Sequence, residues 1–166
     1  MNYKIEEIKA SDWEQVASIY LEGIRTRKAT FQIEVPTWES WDAGHVKSCR
    51  LAARSEDNLL GWVALSPTSS RCCYVGVAEV SIYIGEKYKG RGVGTALLEN
   101  LIKLSEEQGF WTLQSGIIRE NASSIALHKK CGFREIGMRE KVGRMGNGVW
   151  HDVVLMERRS KVVGID

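Results

Sequence analysis

The most constraining feature of the sequence is a stretch in the middle of the chain, positions 79–98. Residues 80–84 are an apolar run typical of a buried strand, and glycines follow at positions 90, 92 and 94. From Val93 onward apolar residues recur at helical spacing, and Gly109 suits the left-handed residue that often ends a helix. The stretch therefore predicts a strand, a glycine-rich turn and a helix in direct succession.

The turn and the helix start together predict an anion site. Glycine lets backbone N–H groups point at a ligand, and the first helical turn adds unpaired N–H groups and partial positive charge. A pyrophosphate suits such a site. The sequence KGRGVG at 89–94 is neither a Walker A loop nor the dinucleotide pattern G-x-G-x-x-G. From the loop alone, a simple connection between two elements stays open as the alternative.

The composition is that of an ordinary soluble globular protein. Its 166 residues, 43% of them hydrophobic, suffice for one core without disulfides or a metal. A net charge of +2 provides no large basic surface, so we do not expect nucleic acid as a partner. The charged start and the lack of a long apolar run predict a cytoplasmic protein without a membrane segment. The four cysteines form no C-x-x-C pair, so we expect free thiols and no metal site.

Periodicity and turn residues predict a mixed α/β domain. Ser11 and Glu14 form a capping-box pattern before a first helix, and Pro36 with Thr37 opens a second. For His45 in that second helix we expect a packed or half-exposed residue, with a catalytic histidine as the alternative. A strand, a helix and a further strand form a right-handed crossover, so the central strand and the strand at 111–118 should be parallel. The predicted order is β-α-α-β-β-β-α-β-α-β-β, in one domain over 1–160 followed by a short frayed tail, 161–166.

Two spaced motifs resemble the GNAT superfamily of N-acetyltransferases. Gly92-x-Gly94, with Lys89 in the first place, is similar to the superfamily's acetyl-CoA loop, Gln/Arg-x-x-Gly-x-Gly/Ala. Residues 121–133, NASSIALHKKCGF, are similar to Asn-x-x-Ala-x-x-Leu-Tyr-x-x-x-Gly-Phe. Within the superfamily the sequence most resembles the phosphinothricin and methionine sulfoximine acetyltransferases, through Ala-Thr-Phe at 29–31, Ala-Glu at 78–79 and Trp-His-Asp-Val at 150–153.

The resemblance implies the GNAT fold, in which two parallel central strands splay apart and acetyl-CoA lies in the wedge. It also implies that the central strand and Asn121 hold the pantetheine arm while the glycine loop binds the pyrophosphate. The side chains of Ile82 and Ile84 equally suit a sheet core, and both interpretations can hold because they use different atoms. The cofactor-binding residues implied are Ile82, Tyr83, Ile84, Lys89, Gly90, Arg91, Gly92, Val93, Gly94, Thr95 and Asn121.

Acetyl transfer to an amine requires a proton acceptor, because most free amines are protonated near neutral pH. Glu79 opens an otherwise apolar strand, where a buried charge is costly unless it is used, and the resemblance implies the same base role. A solvent-exposed or lysine-paired glutamate is the alternative. His128 stands where many GNAT enzymes carry a tyrosine general acid, and it could act as acid or base, or be an ordinary helix histidine.

The acceptor site is predicted from two loops. Phe31 and Glu34 lie on the helix-to-helix connection, which is either a plain connector or a pocket lid. Arg71 and Tyr74 lie on the loop before Glu79, and the resemblance implies that they hold an acidic group of the substrate. Ser69 stands where the phosphinothricin enzymes often have a lysine. For Trp150, His151 and Asp152 we expect packing and a local hydrogen bond rather than catalysis.

These observations predict an acetyl-CoA-dependent N-acetyltransferase that acts by direct transfer in a ternary complex. The expected acceptor is a small amino-acid-like amine such as phosphinothricin, methionine sulfoximine or methionine sulfone. One alternative is acetylation of a protein amine, such as a ribosomal N-terminus, and another is a coenzyme A-binding module without turnover. Exposed apolar edges and the resemblance together predict a homodimer.

Overall fold

The computed structural model describes residues 2–166, and it confirms the predicted order of helices and strands. Three short 3₁₀ turns, Ala10–Asp12, Cys72–Tyr74 and Glu86–Tyr88, are added to that order. None of the helices in the described residues is both long and apolar enough to cross a membrane. The elements are β1 Lys4–Glu7, α1 Trp13–Thr26, α2 Trp38–Gly44, β2 Arg50–Ser55, β3 Asn58–Pro67, β4 Val77–Ile84, α3 Val93–Glu107, β5 Thr112–Ile118, α4 Ala122–Lys130, β6 Arg134–Arg144 and β7 Trp150–Arg159.

The seven strands form one sheet in the order β1-β2-β3-β4-β5-β7-β6. Strands β4 and β5 are parallel, whereas the other neighbouring pairs are antiparallel. The parallel pair is the one that the crossover through α3 predicts, since a parallel connection needs a long return segment.

The two parallel strands separate after three residue pairs. Their described pairing runs from Val77↔Thr112 to Glu79↔Gln114, although β4 continues to Ile84 and β5 to Ile118. The unpaired ends diverge and leave a wedge, which confirms the predicted splay. Glu79 is the last residue of β4 that pairs with β5, and it therefore lies at the apex of the wedge.

The sheet carries a hydrophobic cluster on each face. Helix α3 packs Leu97, Leu98 and Leu101 on one face, and the other face packs against α1 and α2 around Trp41 and Trp62. Strand β4 serves both clusters, because successive side chains of a strand point to opposite faces. Its residues Val80, Ile82 and Ile84 join the first cluster and Tyr83 joins the second. Glu79 and Ser81 therefore share the α1 face with Tyr83.

Helix ends agree with the sequence at most positions and differ at one. The Thr37 hydroxyl accepts a hydrogen bond from the Ser40 N–H at 3.2 Å, and Gly109 adopts a φ of +88°. The capping box predicted from Ser11 is wrong. A 3₁₀ turn precedes α1, and the Asp12 carboxylate accepts the Lys9 N–H at 2.9 Å instead.

The residues after β7 are held to the domain by Arg159 and Ser160. The Arg159 guanidinium donates to the carbonyl oxygens of Val163 at 2.7 Å and Gly164 at 2.6 Å. The Ser160 hydroxyl accepts from the N–H groups of Val162 and Val163. The guanidinium therefore joins the carbonyl groups of Val163 and Gly164 to the end of β7.

Candidate active site

The wedge between β4 and β5 opens into a cleft of about 740 Å³. Its walls come from the divergent end of β4, the turn before α3, the start of α4 and the end of α1. The sequence-predicted cofactor residues that line it are Ile82, Tyr83, Ile84, Lys89, Gly90, Gly92, Val93, Gly94, Thr95 and Asn121. Arg91, also predicted, is exposed and does not line the cleft.

The turn before α3 has the backbone that an anion site needs. Gly90 and Gly92 have φ values of +74° and +80°, which side chains other than glycine rarely adopt, and a Cβ at either position would meet no atom within 4 Å. Gly92 is the N-cap of α3, so the N–H groups of its first turn have no partner within the helix. Lys89 adds a cation at the rim, where its Nζ lies 2.8 Å from Glu86 Oε2.

Asn121 begins α4 at the opposite wall of the cleft. Its side-chain oxygen accepts the Ser124 N–H at 3.3 Å and so caps the helix. In the hydrogen bonds of residues 2–166 its side-chain amide nitrogen has no acceptor, which leaves this donor for a ligand.

A second cavity of about 360 Å³ adjoins the cleft and shares Ala29, Ile82, Tyr83, Asn121 and Ser124 with it. The structure brings both predicted catalytic residues, Glu79 and His128, and the predicted acceptor residue Phe31 to this cavity from distant parts of the chain. The remaining lining is largely polar, and no lysine or arginine is part of it.

Glu79 carries a carboxyl group whose proton affinity is raised. Partial burial raises its pKa above the usual glutamate value, and a hydrogen bond with the Gln114 side chain opposes part of that change. Gln114 is its partner in the last pair of the parallel ladder. A half-buried carboxylate at the apex of the wedge can accept a proton more readily than a surface glutamate.

His128 is 1% exposed and packs edge-on against Phe133, with ring centroids 5.0 Å apart. Its Nδ1 lies 2.7 Å from the Ser124 carbonyl oxygen, which can only accept, so Nδ1 carries the proton. Its Nε2 is buried without a partner in the described residues. Burial lowers the pKa of this imidazole, so the ring is neutral at pH 7 and presents a lone pair at Nε2.

Three other predicted acceptor residues do not line either cavity. Glu34, Arg71 and Tyr74 are exposed, and the Arg71 guanidinium lies over the Tyr74 ring at 5.4 Å. The structure therefore separates the Arg71 loop from the cavity that holds Glu79.

The sequence of this chain matches the acetyltransferase (GNAT) family over residues 7–133. The chain belongs to the GNAT family. Phosphinothricin N-acetyltransferase of Alcaligenes faecalis is 32% identical over 165 residues, which cover 93% of this chain and 81% of the relative. The L-methionine sulfoximine/L-methionine sulfone acetyltransferase of Pseudomonas paraeruginosa is 24% identical, covering 95% of this chain and 94% of the relative.

Solved GNAT structures resemble the whole chain. A phosphinothricin acetyltransferase from Sinorhizobium meliloti in complex with acetyl-CoA has a TM-score of 0.84 at 26% identity, with 100% of this chain and 97% of that chain covered. A ribosomal-protein-alanine N-acetyltransferase from Brucella melitensis has a TM-score of 0.85 at 27% identity, covering 95% of this chain and 99% of that one. This GNAT protein is an acetyl-CoA-dependent acetyltransferase.

The backbone groups that line the cleft of this GNAT chain suit acetyl-CoA. Glycines with positive φ and free N–H groups at the start of α3 suit a diphosphate, and the unpaired edge of β4 suits an amide-bearing arm. In the described part of the chain no three His, Cys, Asp or Glu side chains stand close enough together to bind a metal ion.

Several residues of the second cavity were not identified from the sequence. Tyr20, Thr30, Ser81, Ser115 and Ser124 line it together with Glu79. Ser81 could have been found from strand periodicity, because it lies between Glu79 and Tyr83 on one face of β4. The others come from separate elements, and no local pattern relates them. Burial raises the pKa of both Tyr20 and Tyr83, so these phenols stay protonated as hydrogen-bond donors.

Proposed function

We propose that this enzyme transfers the acetyl group of acetyl-CoA to the amino group of a small amino-acid-like acceptor. The observation that carries the proposal is the second cavity, which adjoins the wedge and is lined by Glu79 and His128. Its volume of about 360 Å³ suits a single amino acid rather than a folded polypeptide. The names of the relatives, which specify phosphinothricin and methionine sulfoximine, agree with such an acceptor.

In this proposal the large cleft holds acetyl-CoA. The first turn of α3 with Gly90–Thr95 binds the diphosphate, Lys89 and Arg91 add positive charge near it, and the backbone of residues 82–84 with Asn121 holds the pantetheine arm. Placing the acetyl group at the apex of the wedge brings it to the boundary with the second cavity. Both substrates are then bound together, as direct transfer in a ternary complex requires.

Glu79 acts as the general base. The acceptor enters as an ammonium group, and the carboxylate takes one proton from it directly or through a water. The neutral nitrogen then forms a bond to the acetyl carbon while the bond from that carbon to sulfur breaks. Coenzyme A leaves as a thiolate, and the second proton lost by the nitrogen neutralises it or passes to solvent. A thiol pKa of about 8.5 makes an obligatory acid unnecessary for this departure.

His128 assists as a neutral hydrogen-bond acceptor. Its single N–H is committed to the Ser124 carbonyl, which supports acceptance at Nε2 rather than donation of a proton to the thiolate. Of the acid, base and structural roles that the sequence leaves open, the geometry favours an acceptor that orients a cavity group or water.

The charge of the cavity favours an acceptor with one anionic group. Glu79 is acidic and the lining holds no lysine or arginine, so hydroxyl and amide donors must receive the acceptor carboxylate. Phosphinothricin carries a second anion on phosphorus, whereas methionine sulfoximine and methionine sulfone do not. We therefore propose methionine sulfone and methionine sulfoximine as better acceptors than phosphinothricin. Phe31 forms a wall of this site, while Glu34, Arg71 and Tyr74 lie outside it.

An acceptor panel tests the proposal. Thiol release from acetyl-CoA is followed with methionine sulfone, methionine sulfoximine, phosphinothricin, the common amino acids and a peptide with an N-terminal alanine. We expect the highest kcat/KM with a sulfone or sulfoximine. Preference for the peptide would support the second candidate, a protein N-terminal acetyltransferase, which the Brucella melitensis structure favours. The cytoplasmic location and the homodimer stay predictions.

A further inference from the structure

Phe31 is the aromatic wall of the acceptor cavity, and it is held by a distant part of the chain. It lies on the connection between α1 and α2 and is half-buried. Its ring meets the β6–β7 hairpin, more than a hundred positions away, where the His151 ring stands edge-on with centroids 6.3 Å apart. The backbone of Gly143 in β6 supports another part of the same ring.

The contact with Gly143 leaves no room for a side chain. A Cβ at position 143 would lie 2.3 Å from Phe31 Cζ and 2.6 Å from Cε1, which is far inside normal contact distance. Gly143 is not among the glycines with positive φ, so its backbone does not require glycine. What requires glycine at this position is the close approach of the Phe31 ring.

The hairpin is shaped at this point by Asp152. Between Arg139 and Gly143 the register of β6 against β7 shifts, and Lys141 takes a φ of +44° within the irregular segment. The Asp152 carboxylate accepts the Lys141 N–H at 2.7 Å and so holds the distorted turn. Gly143, on which the Phe31 ring lies, is two residues after this bond in the same strand.

The same hairpin is joined to the cofactor cleft. Nδ1 of His151 lies 3.0 Å from Oε2 of Glu120, which lines the cleft next to Asn121. The Asp152 carbonyl oxygen accepts the Arg119 N–H at 3.0 Å. His151 therefore touches the acceptor wall through its ring and the start of α4 through its nitrogen.

We propose that Gly143 and His151 form a seat that fixes Phe31 and so determines which acceptor side chains the cavity admits. The inference rests on the proposed function, because it assumes that the second cavity binds the acceptor. A fixed ring offers a flat apolar surface against a compact, uncharged end group such as a methyl sulfone or sulfoximine. Gly143 and His151 act through Phe31 and are positioning residues.

A double-mutant cycle tests the seat without any acceptor. The proteins are the parent, Gly143→Ala, Phe31→Ala and the double variant. Gly137→Ala, in the same strand, is the matched control because a Cβ at that position would meet no atom within 4 Å. We expect Gly143→Ala to lower Tm by about 3–10 °C in the parent, as overpacking does, and by much less in the Phe31→Ala background. Equal losses in both backgrounds would overturn the seat.

Steady-state kinetics then tests specificity with the best acceptor of the panel. We expect Gly143→Ala to raise the acceptor KM about tenfold while the acetyl-CoA KM stays within about twofold, and Gly137→Ala to match the parent. His151→Ala should also raise the acceptor KM, and His151→Phe should restore it in part through the ring. Coupling in the cycle with an unchanged acceptor KM would refute the specificity role. If no compound of the panel is acetylated, the proposed function is refuted. The double-mutant cycle would still show whether Gly143 and Phe31 pack against each other as proposed.

Discussion

At the scale of single residues, the site depends on where Glu79 lies in the sheet. The residue is the last member of the β4–β5 ladder, so its side chain stands where paired backbone gives way to the open wedge. A shift by one residue in either direction, to the position of Ala78 or Val80, would turn the carboxylate into the buried cluster on the α3 face, where a charge is costly, whereas Glu79 itself is half-buried. The raised pKa of Glu79 is the electrostatic result of this intermediate position.

Replacing Glu79 by Gln tests the general base. We expect kcat to fall by about 10²–10⁴-fold, because glutamine has the same shape but accepts no proton. The base works only when ionised, so the parent's kcat/KM should decline as pH falls through the raised Glu79 pKa. That acidic limb should disappear in the variant, while the acetyl-CoA Kd from calorimetry is kept. Glu107→Gln, on the exposed side of α3, is the control and should behave as the parent.

His128 gives a prediction for stability. Its pKa is lowered in the folded state, so the unfolded chain binds a proton more readily below the ordinary histidine value of about 6.5. The stability associated with the neutral ring is present above that pH and is lost as pH falls through the folded pKa. We expect urea unfolding to show a steeper loss between about pH 7 and pH 5 in the parent than in His128→Phe. Burial also lowers the pKa of His45, but this histidine is present in both proteins and its contribution cancels in the comparison. Parallel curves of unfolding free energy against pH would contradict the prediction.

At the scale of elements, helix α3 is flanked by two glycines, one at each end, that share a left-handed backbone conformation. Gly92 at the start and Gly109 just after the end both have positive φ, and a Cβ at either would meet no atom within 4 Å. Substitution by alanine therefore costs backbone strain at both ends without a clash, about 1–2 kcal/mol. Only the first end faces the cleft.

Gly92→Ala and Gly109→Ala form a matched pair that tests the anion site. We expect similar decreases in Tm for both variants, because each pays the same strain. Only Gly92→Ala should weaken acetyl-CoA binding, measured by calorimetry, since it alters the backbone that presents the N–H groups of α3. Equal affinities in the two variants would show that the glycine turn does not hold the diphosphate.

Local signals explain which elements could be predicted from the sequence. The strand at 80–84, the helix after the glycine turn and the hairpin at Asn147-Gly148 have strong periodicity or turn chemistry, and each lies where predicted. The cap predicted at Ser11 was wrong because Asp12, one position later, accepts the Lys9 N–H and belongs to a 3₁₀ turn that precedes the helix. Side-chain competition of this kind between neighbours is not visible in a spacing pattern.

The candidate site was predictable in part, for the same reason. The residues predicted to bind the cofactor lie, apart from Asn121, along β4 and the turn into α3, and ten of the eleven line the cleft. The second cavity is lined by residues far apart in sequence, such as Phe31, Glu79 and His128, and the Phe31 ring also contacts Gly143. Arg71 and Tyr74 were expected beside the substrate, yet the 3₁₀ turn at Cys72–Tyr74 places them on the surface.

At the scale of the whole molecule, one sheet joins two hydrophobic clusters, one on each face. The α3 face lies behind the glycine turn, and the α1–α2 face lies behind the second cavity through Tyr20 and Tyr83, whose ring centroids are 4.8 Å apart. Strand β4 places alternate side chains in both clusters, so a ligand that restrains its backbone affects the packing on both faces of the sheet. Cofactor binding along β4 should therefore stabilise the acceptor side as well.

Thermal unfolding with acetyl-CoA tests this coupling. At a concentration about a hundred times its Kd, a ligand of the folded state adds about 2.7 kcal/mol of stability, which corresponds to a Tm increase of roughly 5–10 °C for a domain of this size. Four tryptophans, Trp13, Trp38, Trp41 and Trp62, belong to the α1–α2 core, so fluorescence reports mainly on the face opposite α3. Because β4 is shared, we expect the fluorescence and far-UV circular dichroism transitions to coincide and to shift together. A dichroism shift without a fluorescence shift would show that the two faces unfold separately, and the shift should shrink in Gly92→Ala at the same ligand concentration.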